Sequence, residues 1–250
     1  MTPFQPIFRL DLPHGRCVGV ALPGEGGGAA ADDGDGAVPP AVLAALPEGE
    51  RRHVQGLPPL RRASWIGGRI ALRAALADLS LDAEAILATP RGAPRLPAGA
   101  RGSISHKEDL AVGLAALVSG AGEWHLGLDI ERVAANRADI SGYVLRPEER
   151  DRLPPPGDPR RDEELRFAFS AKEAIYKALD PFLARYVSFQ EVAVQRRPDG
   201  TAAVALYLRP DAGTDAAPVR APFEVQVGWL RRERFILTTA RVVRTLTPVG

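Results

Sequence analysis

The stretch from Phe167 to Leu179, FAFSAKEAIYKAL, constrains the fold of this chain more than any other segment. Apolar residues recur in it at the spacing of one helix face, at Ala171, Ala174, Ile175, Ala178 and Leu179. The residues that lie off this apolar stripe are Lys172, Glu173, Tyr176 and Lys177. The segment therefore predicts a helix that buries one face and presents charged side chains on another.

Local signals predict where this helix begins and ends. Ser170 stands three residues before Glu173, the spacing of a capping box, in which a hydroxyl and a carboxylate satisfy each other's backbone amides. Asp180-Pro181 supplies a stop signal. On this interpretation Glu173 is only the acid of the cap, and its pairing with Lys177 contributes only about 0.2–0.5 kcal/mol. A structural and a catalytic interpretation of Glu173 both stay open at this point.

Lysine is scarce in this chain. Of its 32 cationic residues, three are lysines, and two of these, Lys172 and Lys177, fall within the predicted helix. Arginine supplies the surface charge nearly everywhere else, so the lysines hint at a requirement for a compact ammonium in this helix.

Composition narrows the class of protein. A chain of 250 residues, 45% hydrophobic and 25% charged, is expected to be globular. Its net charge of +1 provides no overall field to attract nucleic acid or an acidic membrane. One cysteine, Cys17, excludes an intramolecular disulfide and the usual thiolate zinc patterns, and fits a reducing compartment. We find no apolar run long enough to cross a bilayer and no secretion leader, so we expect a cytoplasmic protein.

The first half of the chain is predicted to contain strands, a loop and helices. We expect an irregular strand region at 1–22, a surface loop at 24–36 and a short helix at 39–46. A clearer helix begins at Pro58 and runs to about Leu79. Arg61 and Arg69 lie eight residues apart in it, about 80° around the axis, so both can serve one side. A solvated basic face is the alternative interpretation.

A Pro/Gly loop follows this helix and leads into two strands. The loop carries Arg91 and Arg95, and loops of this kind often carry function. The first strand is predicted at Ser103–His106 and the second, apolar enough to be buried, at 109–118.

The third strand of this region, His125–Glu131, ends in two acidic residues. Asp129 and Glu131 point to one face of the strand because successive side chains alternate. Like charges at that separation are unfavourable unless a metal cation or an arginine lies between them. An exposed strand end is the alternative interpretation.

The remainder of the chain changes to a period-two pattern. Residues 132–166 are polar and interrupted by proline, with a short helix expected at 147–152. Beyond Pro181, alternating segments and charged turns predict an antiparallel sheet. Each half of the chain thus combines a helix with strands, and a boundary is predicted within 119–123.

The acidic residues also suggest a chemistry. Three carboxylates on two elements, Asp129, Glu131 and Glu173, suit magnesium, which takes oxygen ligands and keeps waters that a phosphate can replace. Arginines on the first long helix, Arg91 and His106 provide groups for several phosphates. No GxxxxGK[ST] loop is present, so a P-loop enzyme is excluded.

Three motifs together resemble a known family. They are SISH at 103–106, GLDIE at 127–131 and FSAKEAIYK at 169–177, and their order and separations resemble the signatures of the 4′-phosphopantetheinyl transferases. The resemblance is greatest to the pseudo-dimeric class typified by the surfactin and enterobactin synthetase enzymes. It implies an α+β pseudo-dimer of two similar α/β halves, 1–122 and 123–250, with coenzyme A in the cleft between them.

The resemblance also implies roles for individual residues. Asp129, Glu131 and Glu173 would bind magnesium, or manganese in its place, and Asp129 would also contact coenzyme A. Glu173 would in addition act as the base, directly or through water, and Lys177 would neutralise the phosphate that leaves. The residues matched to coenzyme A phosphate contacts are Arg61, Arg69, Arg91, Ser105 and His106, the last two at the 3′-phosphate.

Two positions depart from the family pattern. Ala93 stands where some members carry a lysine, and Phe169 replaces a common tryptophan. Arg91 or Arg95 can substitute for that lysine. Because neighbouring strand residues face opposite ways, Ser105 is expected to contribute mainly through its backbone.

The implied reaction transfers phosphopantetheine from coenzyme A to a serine of an apo acyl or peptidyl carrier protein and releases 3′,5′-ADP. The resemblance leaves the pathway open among fatty acid, polyketide, nonribosomal peptide and siderophore synthesis. The partners expected are coenzyme A and the carrier protein, with no nucleic acid or membrane, and the chain is expected to be a monomer. Two alternatives are a non-catalytic module that binds coenzyme A or a nucleotide, and an Arg-rich nucleic-acid binder, which the near-zero net charge disfavours.

Overall fold

Two compact units, 1–119 and 120–250, make up the chain. The structure is a computed structural model, and it describes residues 2–23, 38–120, 122–133, 139–209 and 222–245. The stretch 24–36, predicted as a surface loop, lies outside the described residues.

The first unit places one long helix on a four-stranded antiparallel sheet. Its elements are, in order, β1 (Pro6–Leu12), β2 (Gly15–Ala21), α1 (Pro40–Ala45), α2 (Glu48–Gln55), α3 (Pro59–Asp78), β3 (Ala100–Lys107) and β4 (Leu110–Leu117). The strand order is β1-β2-β4-β3. Leu72 and Leu76 of α3 are fully buried against this sheet, as the helical spacing predicts.

The second unit has the same design with a larger sheet. Its elements are, in order, β5 (Trp124–Arg132), α4 (Ser141–Val144), α5 (Pro147–Arg150), α6 (Pro159–Leu183), a 3₁₀ turn (Phe189–Glu191), β6 (Val192–Arg196), β7 (Thr201–Leu206), β8 (Phe223–Arg232) and β9 (Phe235–Arg244). The antiparallel sheet has the order β5-β9-β8-β7-β6, so β5 and β6 form its edges.

The two units share a chain path. In the first unit, β2 leads through α1 and α2 to α3, and the hairpin β3–β4 follows, with β4 paired to β2. In the second unit, β5 leads through α4 and α5 to α6, and the hairpin β8–β9 follows later, with β9 paired to β5. These three strands lie in the order β2-β4-β3 in one unit and β5-β9-β8 in the other. The α+β class with two similar halves, predicted from the sequence, is confirmed.

Helix α6 carries the core of the second unit. The predicted apolar stripe is confirmed, since its five members are fully buried, and they pack with Ile236, Ala240 and Val242 of β9. The predicted ends of the helix are wrong. It begins at Pro159 with Asp158 as N-cap, whose carboxylate accepts a hydrogen bond from the backbone of Arg160, and it passes through Pro181 to Leu183. Ala184 then ends it in the left-handed conformation, at φ 51°.

In the part of the chain that the structure describes, no helix combines the length and apolarity needed to cross a membrane.

Candidate active site

A close approach of α6 to β5 creates the acidic site of the second unit. A Cβ atom built on Gly127 would lie 1.7 Å from the backbone oxygen of Ala174, so the helix rests directly on the strand at this glycine. Asp129 and Glu131 follow on β5 and pair with Thr238 and Ile236 of β9. Directly paired residues share a face of a sheet, so both carboxylates point to the side on which α6 packs.

Asp129 is held by a lysine of α6. The Lys177 ammonium lies 2.9 Å from Asp129 Oδ1 and donates a second hydrogen bond, also 2.9 Å long, to the backbone oxygen of Leu128. The Asp129 side chain is 8% exposed and that of Lys177 is 27% exposed. The cation is thus fixed by two contacts and still reaches solvent, as a group that meets a substrate must.

Glu131 is held by an arginine that the sequence analysis did not single out. Arg166 Nη1 lies 3.5 Å from Glu131 Oε2, and both side chains are largely buried. Arg166 stands seven residues before Glu173, which is two turns along the same face of α6. That periodicity was hidden because the helix was predicted to begin only at Ser170.

Glu173 lies in the electrostatic field of the two β5 carboxylates. Burial raises the pKa of Glu173 above its ordinary value; the charge of Lys177 opposes this shift, and the charges of Asp129 and Glu131 add to it. A half-buried carboxyl with a raised pKa accepts a proton more readily than an exposed one. The structure therefore brings Asp129, Glu131, Glu173 and Lys177 into one neighbourhood.

The capping-box prediction for Ser170 is wrong. Ser170 is fully buried in the middle of α6, and its hydroxyl lies 2.8 Å from Thr238 Oγ1 of β9. Glu173 is therefore not the acid of a helix cap, and the interpretation that made it only structural loses its basis.

The two lysines of the helix have different environments, and Lys172 does not lie on the charged surface. Its side chain is 1% exposed, and its ammonium pairs with Glu149 Oε2 at 2.5 Å. It also donates to the backbone oxygens of Val144 and Phe189. Burial lowers the pKa of Lys172, and the hydrogen bond that Lys172 donates to Glu149 opposes this shift. Lys172 joins α6 to α4, α5 and the turn before β6, so the argument from lysine scarcity retains only Lys177 for the active site.

Two tyrosines near Glu173, Tyr143 and Tyr186, do not appear in the sequence analysis. The rings of Tyr176 and Tyr186 meet edge to face with centroids 5.6 Å apart. The pKa of Tyr186 is raised to about 12. The main cause is a hydrogen bond with Tyr143, the second is burial, and the charge of Glu173 also contributes. Tyr143 and Tyr186 expose more than half of their surface. The sequence does not reveal that these two tyrosines are neighbours, because Tyr143 lies in α4 and Tyr186 lies in the loop after α6.

In the first unit, β3 carries Ser105 and His106 on opposite faces. Ser105 is 7% exposed and pairs with Val112, whereas His106 is exposed and pairs with Ala111. The alternation expected for neighbouring strand residues is thus observed. His106 shares its face with Ala111, which lies next to Gly67 of α3, so a ligand on the α3 side of β3 would meet the His106 ring but only the backbone of Ser105.

Arg61 and Arg69 of α3 differ strongly in burial. Arg61 is exposed, whereas Arg69 is 8% exposed, with its guanidinium carbon 4.0 Å above the Trp65 ring. Arg69 Nε donates to the backbone oxygen of Ile86 at 3.3 Å. Burial lowers the pKa of Arg69 to about 10, and the charge of Glu50 opposes the shift. Arg69 is therefore a preorganised cation, whereas Arg61 is free to rearrange.

Arg91 lies at the tip of a narrow loop. The Thr89 amide donates to the Ala93 oxygen at 2.7 Å and the Arg95 amide to the Leu87 oxygen at 2.8 Å, which closes the loop like a hairpin. Arg91 and Arg95 are both exposed. The structure thus presents both side chains to solvent without distinguishing which one replaces the lysine missing at Ala93.

The three carboxylates of the acidic site have the chemistry of ligands for a divalent metal ion. Among the described residues, no group of three histidine, cysteine, aspartate or glutamate side chains is arranged as a preformed metal site. The chemistry of Asp129, Glu131 and Glu173 nevertheless suits a hard divalent ion, since all three offer carboxylate oxygens. Their mutual repulsion, visible in the pKa of Glu173, would be relieved by one. The residues fit magnesium in type.

Comparison with known families gives two matches. The profile of the 4′-phosphopantetheinyl transferase N-terminal domain matches residues 49–116. The profile of the 4′-phosphopantetheinyl transferase superfamily matches residues 125–226, the segment that contains the acidic site.

Individual relatives agree. The chain is 32% identical over 187 residues to 4′-phosphopantetheinyl transferase Svp of Streptomyces mobaraensis, which covers 74% of this chain and 70% of Svp. It is 35% identical over 137 residues to 4′-phosphopantetheinyl transferase Npt of Nocardia iowensis, covering 54% of this chain and 59% of Npt.

Among solved structures, the holo-ACP-synthase from Plasmodium yoelii is 20% identical at a TM-score of 0.36, over 50% of this chain and 99% of that one. From the motifs, the family profiles and the extent of the likeness to Svp, we conclude that this chain belongs to the 4′-phosphopantetheinyl transferase family and is an enzyme of that class.

Proposed function

We propose that this enzyme transfers 4′-phosphopantetheine from coenzyme A to a serine of an apo acyl or peptidyl carrier protein and releases 3′,5′-ADP. The observation that carries the proposal is the placement of Glu173, with its raised pKa, beside Asp129, Glu131 and the Lys177 ammonium. Family membership supplies the transfer of phosphopantetheine to carrier proteins. The donor, the metal and the product are part of the proposal.

In the proposed reaction Glu173 accepts the serine proton. The serine oxygen attacks the β-phosphorus of coenzyme A, and the bond from that phosphorus to the bridging oxygen breaks. The electron pair of that bond leaves with 3′,5′-ADP. A carboxylate whose charge is destabilised by burial gains more from accepting the proton than an exposed one would.

Lys177 is proposed to neutralise the charge that develops on the departing phosphate. Its ammonium is already anchored by Asp129 and the Leu128 oxygen, so little reorganisation is needed when that charge appears. Its partial exposure leaves room for a third hydrogen bond, which an ammonium can donate.

Asp129, Glu131 and Glu173 are proposed to hold magnesium, with manganese as an alternative. When bound, the ion would supply positive charge to the pyrophosphate of coenzyme A. Lys177 and Arg166 lie on two of these carboxylates, so Asp129 and Glu131 would be shared between these cations and the metal, and Lys177 would keep its anchor.

The first unit is proposed to bind the rest of coenzyme A. In this assignment residues 1–122 provide the phosphate-binding half and 123–250 the catalytic half. Arg61, Arg69 and Arg91 would contact phosphates of coenzyme A. His106 would contact the 3′-phosphate, and Ser105 would contribute there mainly through its backbone. The exposed His106 and the preorganised Arg69 support the assignment. Asp129 would also contact coenzyme A.

We further propose that the enzyme acts in the cytoplasm as a monomer, on carriers of fatty acid, polyketide, nonribosomal peptide or siderophore synthesis. The single cysteine, which fits a reducing compartment, supports the location.

The experiment is a transfer assay with a panel of purified apo carrier proteins, coenzyme A and magnesium. Mass spectrometry should detect the gain of one phosphopantetheine group per carrier, and chromatography an equal amount of 3′,5′-ADP. Excess EDTA should stop both. Binding of coenzyme A with neither product from any carrier would contradict the proposal, and full activity in EDTA would remove the metal assignment.

A further inference from the structure

A cavity of about 490 Å³ lies in the second unit, between the first half of α6 and the edge strand β6. We call it the α6–β6 cleft and define it by Arg152, Leu153, Glu164, Phe167, Arg197 and Trp229. The cavity lining includes none of Asp129, Glu131, Glu173 and Lys177. Its volume falls within the range of about 300–1,000 Å³ that small-molecule sites occupy.

One wall of the cleft is aromatic and is held in a fixed orientation. Phe167 and Trp229 meet edge to face with centroids 5.7 Å apart. Trp229 Nε1 donates to the backbone oxygens of Arg197 and Thr201, which fixes the indole and the turn that carries Arg197. The guanidinium carbon of Arg196 lies 4.8 Å from the centroid of the indole ring and covers part of it. The rest of the half-buried indole offers a rigid apolar surface to a ligand.

The charges around the cleft are unequal. Four arginines and two glutamates line it, and several of these are already paired. Arg160 binds Asp158, and Arg196 binds the pair Glu163 and Glu164. Glu149, the other acid, pairs with Lys172.

Two arginines remain. Arg152 and Arg197 are exposed, and no carboxylate of the described residues lies within ion-pair distance of either, although the charge of Arg197 helps to lower the pKa of Asp199. Burial raises the pKa of Glu164 in the same cleft, and the charge of Arg196 opposes this shift. The combination is an apolar floor with two guanidinium groups available at its rim.

We propose that the α6–β6 cleft is a second binding site, for an amphipathic organic anion such as an aromatic carboxylate. The ring of the ligand would lie on Trp229 and Leu153, and its carboxylate would accept hydrogen bonds from Arg152 and Arg197. Arginine matches a carboxylate in geometry as well as in charge. This site is separate from the proposed transfer chemistry.

The test is calorimetric titration of the full chain with 2-naphthoate, without any carrier protein. Binding should saturate at one ligand per chain, and coenzyme A in excess should not displace it. The uncharged 2-naphthylmethanol should bind at least about tenfold more weakly, because it cannot make the charge-assisted hydrogen bonds.

Variants locate the site. The double variant Arg152→Glu/Arg197→Glu should weaken naphthoate binding at least about tenfold, and Arg152→Gln/Arg197→Gln should do so without reversing charge. Arg150→Glu is the matched control, since Arg150 is an exposed neighbour outside the cleft lining. Its affinity should stay close to that of the parent chain.

Four results would overturn the proposal: no saturable binding, equal binding of 2-naphthylmethanol, displacement by coenzyme A, or an equal loss of affinity in Arg150→Glu. The transfer assay is independent of these measurements, so a failure here leaves the proposed transferase activity untouched.

Discussion

Replacing Gly127 by alanine tests whether contact between α6 and β5 positions the active site. The added Cβ would lie 1.7 Å from the Ala174 oxygen, 2.7 Å from the Ala174 carbonyl carbon and 3.1 Å from the Ala178 nitrogen. All three are backbone atoms of α6, so no side-chain rotation relieves the overlap. Non-bonded heavy atoms prefer a separation of about 3.5 Å, so the helix must move by roughly 1.5 Å or more.

The expected cost has two parts. Overpacking a core costs about 1–3 kcal/mol and occasionally more, and a clash with backbone should reach the upper end of that range. At about 2–4 °C per kcal/mol, the melting temperature should fall by about 6–12 °C. Turnover should also fall about a hundredfold, because a displacement of about 1 Å is enough for such a loss and Glu173 would move relative to Asp129.

Gly142→Ala is the control. Nothing lies within 4 Å of a Cβ at Gly142, which is an exposed helical position in α4. Alanine there should be neutral or stabilise by about 0.5–1 kcal/mol. The assays are calorimetric melting and carrier modification at a temperature where both variants are folded. Wild-type melting and turnover for Gly127→Ala would refute the reasoning that this contact sets the site.

Three further substitutions test single groups. Lys172→Met should cost about 3–5 kcal/mol, because it leaves the buried Glu149 charge without its cation, and adding Glu149→Gln should recover part of that loss; urea unfolding of both variants checks this, and a stable single variant would contradict it. Glu173→Gln should remove turnover and raise stability at neutral pH: the folded pKa of Glu173 is raised, so ionisation costs stability as pH rises from the ordinary carboxyl pKa through the folded value, and glutamine escapes that cost. Unfolding free energies between pH 4 and pH 8 should thus diverge in favour of the variant with rising pH, and a less stable variant at neutral pH would argue against the sign. Lys177→Ala should lose rate with a stability change of about 0.2–1 kcal/mol, since its ion pair with Asp129 is partly exposed; Lys177→Arg should not restore the rate, and equal rates for the two cations would remove the requirement for a compact ammonium.

Sequence periodicity predicted which side chains share a face of a strand or helix, because that depends only on residues close in the sequence. The alternation of β5 placed Asp129 and Glu131 on one face, and the helical spacing of α6 identified its buried stripe, both of which the structure contains. Helix boundaries were predicted less well. The segment after Pro159 is charged and has only sparse apolar residues, so hydrophobic periodicity does not reveal the first turns of α6 or the place of Arg166 within them.

Contacts between distant parts of the chain could not be predicted. Ser170 bonds Thr238, which lies 68 residues away, and Lys172 pairs with Glu149, 23 residues away. Both side chains carry polar groups that local rules assign to a cap or to the surface. Both groups are buried in the structure because a partner distant in the sequence satisfies their hydrogen bonds, which makes burial of a polar group tolerable.

The most direct test of the central claim compares the wild-type enzyme with Glu173→Gln in the presence of coenzyme A, magnesium and one accepted apo carrier. We predict that the wild type modifies the carrier and releases one 3′,5′-ADP for each serine modified, while the folded variant does neither at a comparable rate. Equal rates for the two proteins would contradict the assignment of the catalytic site to the carboxylates and lysine on β5 and α6.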